Sequence, residues 1–274
     1  MSASRESLAE AVAVGQLPAM PHAAGKVLRL VNEPDATAEG LRQIIETDPA
    51  LTAAVLRLVN SALFGLPKAV STVSHAVMLI GFIRLRALTL TTVMASMKGS
   101  IPEDVAPERD LIWDHSVSSG LAARALAERQ GLAWSEEAFV AGLLHDCGAL
   151  VMLANHPEAY RSLVEKHGRL PLPAEEEEVF GFTHEQVGTL LLSEWNLAPQ
   201  LIAVAGGHHG EADLAGVHGA LKALVVLSDR LLGENPELVT ESCEVLGIDT
   251  GNLEDVRREI LEEITRSRAD LVCL

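Results

Sequence analysis

Apolar residues in this chain recur almost everywhere at three- and four-residue spacing, and that periodicity restricts it to packed helices. In "AAGKVLRLVNEP", Ala24, Val27, Leu28 and Val31 form one stripe that stops at Pro34. Leu41, Ile44 and Ile45 repeat the pattern. Asp48-Pro49 then starts a new helix in the N-cap and N1 manner, with Leu51, Val55, Leu58 and Val59 on one side. "STVSHAVMLIG" and "FIRLRALTLTTVMASMKG" complete a set of about five or six helices ending near Gly99. No alternating strand pattern or Asn-Gly hairpin signal interrupts this reading. The apolar share is 48% but aromatics supply only 3%, so the core volume is Leu, Ala and Val, which suits close-packed helices.

The segment 100–108, "SIPEDVAPE", holds two prolines and three acids and is the best candidate linker. Helical patterns resume at 109–130, 135–145, 149–155, 157–167, 183–195, 198–207, 215–233, 236–246 and 253–268. The expected architecture is all-α and two-lobed. A helical bundle over 1–100 would pack on a second helical domain over 101–274. No apolar run approaches the roughly 18 residues that span a bilayer, and residues 1–20 lack a signal-peptide pattern, so no membrane partner and a cytoplasmic location are expected. Cys147, Cys243 and Cys273 have no metal-ligand spacing among themselves and do not form a disulfide framework.

Charge is uneven. Residues 1–100 carry 9 Lys+Arg and 7 Asp+Glu; residues 101–274 carry 12 and 31, so the two parts balance at +2 and −19. The acidic part opposes a phosphate backbone, no basic recognition helix is present, and no DNA binding is expected. Glu175-Glu176-Glu177-Glu178 reads as a solvated helix face.

Against this background, several polar residues stand where the helical phase predicts burial. "GLLHDCG" ends an apolar helix on His145-Asp146. His115 shares a face with Ser118, Ser119 and Ala122. His184 is in phase with Val187, Gly188 and Leu191, His208-His209 close "LIAVAGGHH", and Asp229 lies on the stripe of Val225, Val226 and Leu232. Each alone has a structural explanation as a cap or a satisfied core group. Together, five histidines and two aspartates on separate helices fit a single explanation: a site for one or two divalent ions such as iron, manganese, zinc or nickel. Adjacent His-Asp lets the imidazole serve one ion while the carboxylate reaches toward a second, an arrangement suited to phosphoester hydrolysis.

The ordered set His115, His145-Asp146, His184, His208-His209 and Asp229 resembles the HD superfamily of metal-dependent phosphohydrolases. More narrowly, "LPAMPHAAGKVLRLVNEPDAT", "IIETDPALTAAVLRLVNSALFGLP", "TVSHAVMLIGFIRLRALTL" and "FTHEQVGTLLLSEWNLAPQLIAVAGGHH" resemble the HD-related output domain (HDOD) family of bacterial signalling proteins. The resemblance covers about residues 15–232. It implies an all-helical regulatory domain found with or beside signalling proteins, and the expected partner is a signalling protein or a small nucleotide ligand. The related branch with a Gly-Tyr-Pro signature hydrolyses cyclic di-GMP, and this chain departs from it. "GEADLAGVHGA" follows His208-His209 in place of that loop. Ala149 stands where the branch has a phosphate-contacting lysine, and Leu111 where some members add a glutamate ligand. Lys and Arg are scarce around the histidines. The expectation is a metal-binding module with weak or no turnover; the alternative is an active phosphodiesterase with Asp146 as its catalytic residue.

Overall fold

The computed structural model describes residues 17–61, 68–209, 214, 218–233 and 239–272, and among these there is no strand. Side-chain caps open the second and third helices, the latter at the Asp48 that the sequence indicated. α1 spans His22–Leu30; Thr37 accepts from the Gly40 N–H ahead of α2 (Ala38–Glu46). Asp48 accepts from the N–H groups of Ala50 and Leu51 at 2.9 and 3.0 Å ahead of α3 (Pro49–Val59). α4 (Val73–Ser100) bends at Gly81, whose φ of 72° is accessible at little cost only to glycine. This is the division between the two apolar segments that the sequence suggested.

The expected linker is packed. Glu103–Val105 forms a single 3-10 turn, and Ile101 and Val105 are buried. One contiguous apolar cluster extends from Ala23 to Ile264, across both sides of that turn. The prolines there break the helix, but the apolar residues between them keep the connection against the core.

The remaining helices are α5 (Ala106–Arg129), α6 (Ser135–Leu144), α7 (Cys147–Asn155), α8 (Pro157–His167), α9 (Pro173–Phe180), α10 (His184–Glu194), α11 (Pro199–Ala205), α12 (Gly219–Leu232), α13 (Val239–Leu246) and α14 (Leu253–Val272). The starts of the helices expected over 215–233 and 236–246, and most of "GEADLAGVHGA", lie outside the described residues. The helix α9 carries the acidic run that the sequence suggested as a helix face. α5 packs along α6 and is flanked by α12 and α14, while α7 lies against α10. The α7–α10 contact is unusually close: a Cβ on Gly148 would fall 2.0 Å from the His184 carbonyl oxygen. Only glycine permits that approach, and it sets Asp146 beside His184.

By composition, Val73–Ser100 and Ser135–Asn155 are long and apolar enough to cross a bilayer, which the count of uninterrupted apolar residues did not suggest. The first is bent at Gly81. The second is broken by His145-Asp146 and is 89% buried within the protein. The second is core, while the first is 56% buried and leaves Met78 and Ile83 exposed.

Candidate metal centre

Five helices or helix ends deliver the polar groups that the sequence singled out, and all seven arrive together. His115 comes from the middle of α5, and His145-Asp146 occupy the joint between α6 and α7. His184 opens α10, His208-His209 follow α11, and Asp229 comes from α12. His145, Asp146, His184 and His208 are buried; His115, His209 and Asp229 are partly so.

Two groups form around one carboxylate. His115 Nε2 lies 3.2 Å from His145 Nε2 and 3.1 Å from Asp229 Oδ1. Both imidazole nitrogens are 3.4 Å from Asp146 Oδ2. On the other side, His184 Nε2 lies 3.3 Å from His208 Nε2, and these two nitrogens are 3.4 and 3.0 Å from Asp146 Oδ1. The His209 ring packs against those of His208 and His184, with centroids 4.3 and 5.0 Å apart, and offers a further nitrogen to this second group.

Hydrogen bonding alone does not account for these contacts. His145 Nδ1 donates to the Gly142 carbonyl at 2.6 Å, which leaves its Nε2 with a lone pair facing another imidazole. Asp146 Oδ1 accepts no aligned hydrogen bond despite its two near nitrogens, and His208 Nδ1 makes no hydrogen bond, with the Glu185 carboxylate 3.8 Å away. A cation coordinated by nitrogen and oxygen at about 2.0–2.2 Å, with ligand angles near 90–110°, sets adjacent ligand atoms about 2.8–3.6 Å apart. All seven separations fall between 3.0 and 3.4 Å. The residues therefore fit divalent ions: each group could hold one, from imidazoles and carboxylates.

Burial and neighbouring charge act in opposite directions on the imidazoles, leaving some neutral and holding His115 and His184 toward the protonated form that a bound ion would have to displace. Desolvation lowers His145 to about 4, and it combines with the His208 and His184 charges to lower His209 to about 2, so both rings are neutral near pH 7. Burial alone would raise the aspartates. The surrounding His145, His208 and His184 instead hold Asp146 well below the usual carboxylate range, and His115 does the same for Asp229. For His184 desolvation pulls downward, but the Glu176 hydrogen bond and the Asp146, Glu176 and Glu185 charges outweigh it and raise the ring to about 9.

Glu176 is the residue that sequence reasoning missed. It is 0% exposed, and a single oxygen, Oε2, accepts from both the His184 N–H and Nδ1, each at 2.7 Å. That double contact fixes the ring and directs Nε2 toward Asp146. The acidic run is thus divided: Glu177 and Glu178 are solvated as expected, Glu175 pairs with Arg169, and Glu176 points inward. Glu185 gives similar support by accepting the His209 N–H at 2.9 Å.

An open cleft of about 410 Å³ reaches His115, lined by Leu111, Asp114, Ser118 and Leu232 and, from α14, by Leu261, Ile264 and Thr265. No Lys or Arg lines it. Ala149 is buried and adds no charge, but the Lys222 ammonium lies 3.0 Å from where a Gly207 Cβ would stand. One cation therefore approaches Gly207, the residue before His208.

The HDOD domain family model matches residues 17–211. An HDOD domain protein of unknown function from Geobacter sulfurreducens superposes with a TM-score of 0.74 at 23% identity over 97% of each chain. A Shewanella amazonensis protein, provisionally named a phosphohydrolase, gives 0.71 at 24% identity, over 95% of this chain and 98% of that one. A Marinobacter aquaeolei protein, provisionally named for signal transduction, gives 0.76 at 20% identity, over 97% and 61%. These likenesses establish the all-helical fold. An uncharacterised protein of Treponema pallidum (strain Nichols) is 29% identical over 199 residues; this chain covers 38% of its length, and the match takes in 72% of this chain. With the family model spanning most of the chain, the protein belongs to the HDOD domain family.

Proposed function

We propose that this chain is a cytoplasmic signal-transduction regulatory module of the HDOD type, divided into lobes over 1–100 and 101–274. It binds one or two divalent ions and turns over phosphoesters weakly or not at all. The observation that carries the reading is the single carboxyl of Asp146, whose two oxygens face separate imidazole groups at 3.0–3.4 Å. In this reading His115, His145 and Asp229 hold one ion, His184, His208 and His209 the other, and Asp146 serves both. Weak turnover is supported by the cleft at His115, whose described lining presents an acid, Asp114, and no lysine or arginine to a phosphate, and by the buried Ala149. The output is then a signalling partner protein or a small nucleotide, bound elsewhere on the helical surface.

The alternative, a phosphodiesterase, draws support from the same shared carboxyl and from Lys222 beside Gly207. A bound ion pair would supply an activated water and Lewis acidity; the chain would supply the ligand geometry and shield it from solvent. Elemental analysis of protein purified without chelator, followed by assay against bis(p-nitrophenyl) phosphate and cyclic di-GMP, separates the readings. Bound metal with no hydrolysis above the chelated control supports the module. Multiple-turnover hydrolysis that disappears in His145→Ala and Asp146→Ala establishes the enzyme instead.

A further inference from the structure

A second polar site lies away from the histidines. Between α1, the second part of α4 and the α10–α11 connection there is a cavity of about 580 Å³, within the roughly 300–1000 Å³ range of small-molecule sites. Arg29 and Arg86 line it, with Asn32, Trp195 and Glu194. Neither arginine has a carboxylate or hydrogen-bond partner among the described residues, although acids outnumber bases in the chain by 38 to 21. Arg84, two residues before Arg86, does have one: it holds Glu136 at 2.8 Å. Glu194 is the only carboxylate on the cavity, so the local balance is +1 (two arginines against one glutamate) in a molecule of net charge −17.

A smaller apolar pocket of about 220 Å³ adjoins it and shares Asn32 and Arg86. Phe82, Ile83, Trp134 and Val140 form its walls, and its two acids are engaged, Glu136 by Arg84 and Glu137 by Gln200. The Trp195 indole is fixed by donating to the Pro18 carbonyl at 2.9 Å. Two guanidinium groups without a carboxylate partner, beside a pocket with the aromatic walls of Phe82 and Trp134, are complementary to a phosphate joined to a ring.

We infer that this cleft binds a phosphate-bearing ligand of the nucleotide class, with the phosphate on Arg29 and Arg86 and the ring against Phe82 and Trp134. The two elements bordering it also reach the histidine centre. α10 carries His184 at its first residue and Glu194 at its last, about 15 Å apart along the axis. α11 begins at Pro199 on the cleft and leads through Gly206-Gly207 into His208. A ligand that fixes one end of α10 and α11 thereby biases the other. This gives the regulatory reading a ligand surface and relies on that reading only for its consequence; the binding itself needs no metal.

The test uses the full chain after chelator treatment, so that a filled metal centre cannot capture phosphate. GMP, guanosine and inorganic phosphate are titrated by equilibrium dialysis, with tryptophan fluorescence as a second readout because Trp134 and Trp195 line the two pockets. Saturable GMP binding is expected, weaker for phosphate, absent for guanosine and reduced by added salt. Arg29→Gln and Arg86→Gln should each weaken GMP by about tenfold or more, whereas Arg57→Gln, an exposed arginine on α3, should not. Thermal melts of all variants verify folding, and the exposed Arg29 provides the test if Arg86→Gln fails to fold. No saturable binding overturns the inference but leaves the metal centre untouched. Binding that survives both arginine substitutions, or that is lost in His115→Ala alone, also overturns it.

Discussion

Replacing Glu176 with glutamine removes a buried charge while keeping an oxygen able to accept both His184 bonds. The His184 ring rises from 6.5 to about 9 in the folded protein, which corresponds to about 3 kcal/mol of folding free energy. Glu176 is one of several sources of that rise, so Glu176→Gln should cost about 1–2 kcal/mol in chelator-treated protein. Because the folded value lies above the unfolded one, this stabilisation is fully present below pH 6.5 and is lost as pH rises through 9. Urea unfolding at pH 6, 7.5 and 9.5 should therefore show the difference between wild type and Glu176→Gln shrinking as pH increases. The same variant should bind Mn²⁺ about 10–100-fold more weakly in competition with a chromophoric chelator, since the outer partner of His184 has lost its charge. A stability difference independent of pH would mean that Glu176 acts through packing. Unchanged manganese affinity would refute its role in orienting His184.

Asp146→Asn should lower metal content in both groups, whereas His209→Ala and Asp229→Asn should each lower it in one; full occupancy in Asp146→Asn, measured by elemental analysis, would contradict the shared carboxyl. Gly148→Ala places a methyl 2.0 Å from the His184 carbonyl and must separate α7 from α10. A loss of about 3 kcal/mol is expected in thermal or urea unfolding, at the upper end of overpacking costs, together with weaker metal binding. On the acid side, His145 and His209 have folded values of about 4 and about 2, below the ordinary 6.5. Their neutral burial stabilises the fold above pH 6.5, and chelated protein should lose about 1.4 kcal/mol per pH unit for each ring as pH falls from 6.5 toward 4. A flat stability profile over that interval would show that these rings are solvated.

The helical architecture and the seven ligand candidates were legible because burial and polarity conflict at those positions. Asp229 on a Val and Leu stripe, or His145-Asp146 after an apolar run, contradicts the local pattern and so announces itself. Glu176 does not. In a run of four glutamates each residue has the same chemistry, and only the helical phase of α9, set by its packing near Tyr160 and Phe182, decides which one turns inward. The packing of the connection at 100–108 was hidden for a related reason: prolines and acids dominate it, while Ile101 and Val105 anchor it to the core. Arg29 and Arg86 are far apart in sequence and lie on different helices, so no local pattern could reveal that they share a cavity.

Because one carboxyl faces both imidazole groups, the two positions have no independent adjustment. A small rotation of Asp146 that improves one set of distances must worsen the other, and the residue sits at the joint of α6 and α7 with no slack on the Gly148 side. Loading of the first ion should thus set the terms for the second, and a shift of α10 of only a few tenths of an ångström would be felt at both at once. The centre is built like a balance with a single beam, which suits a device that reports on helix position.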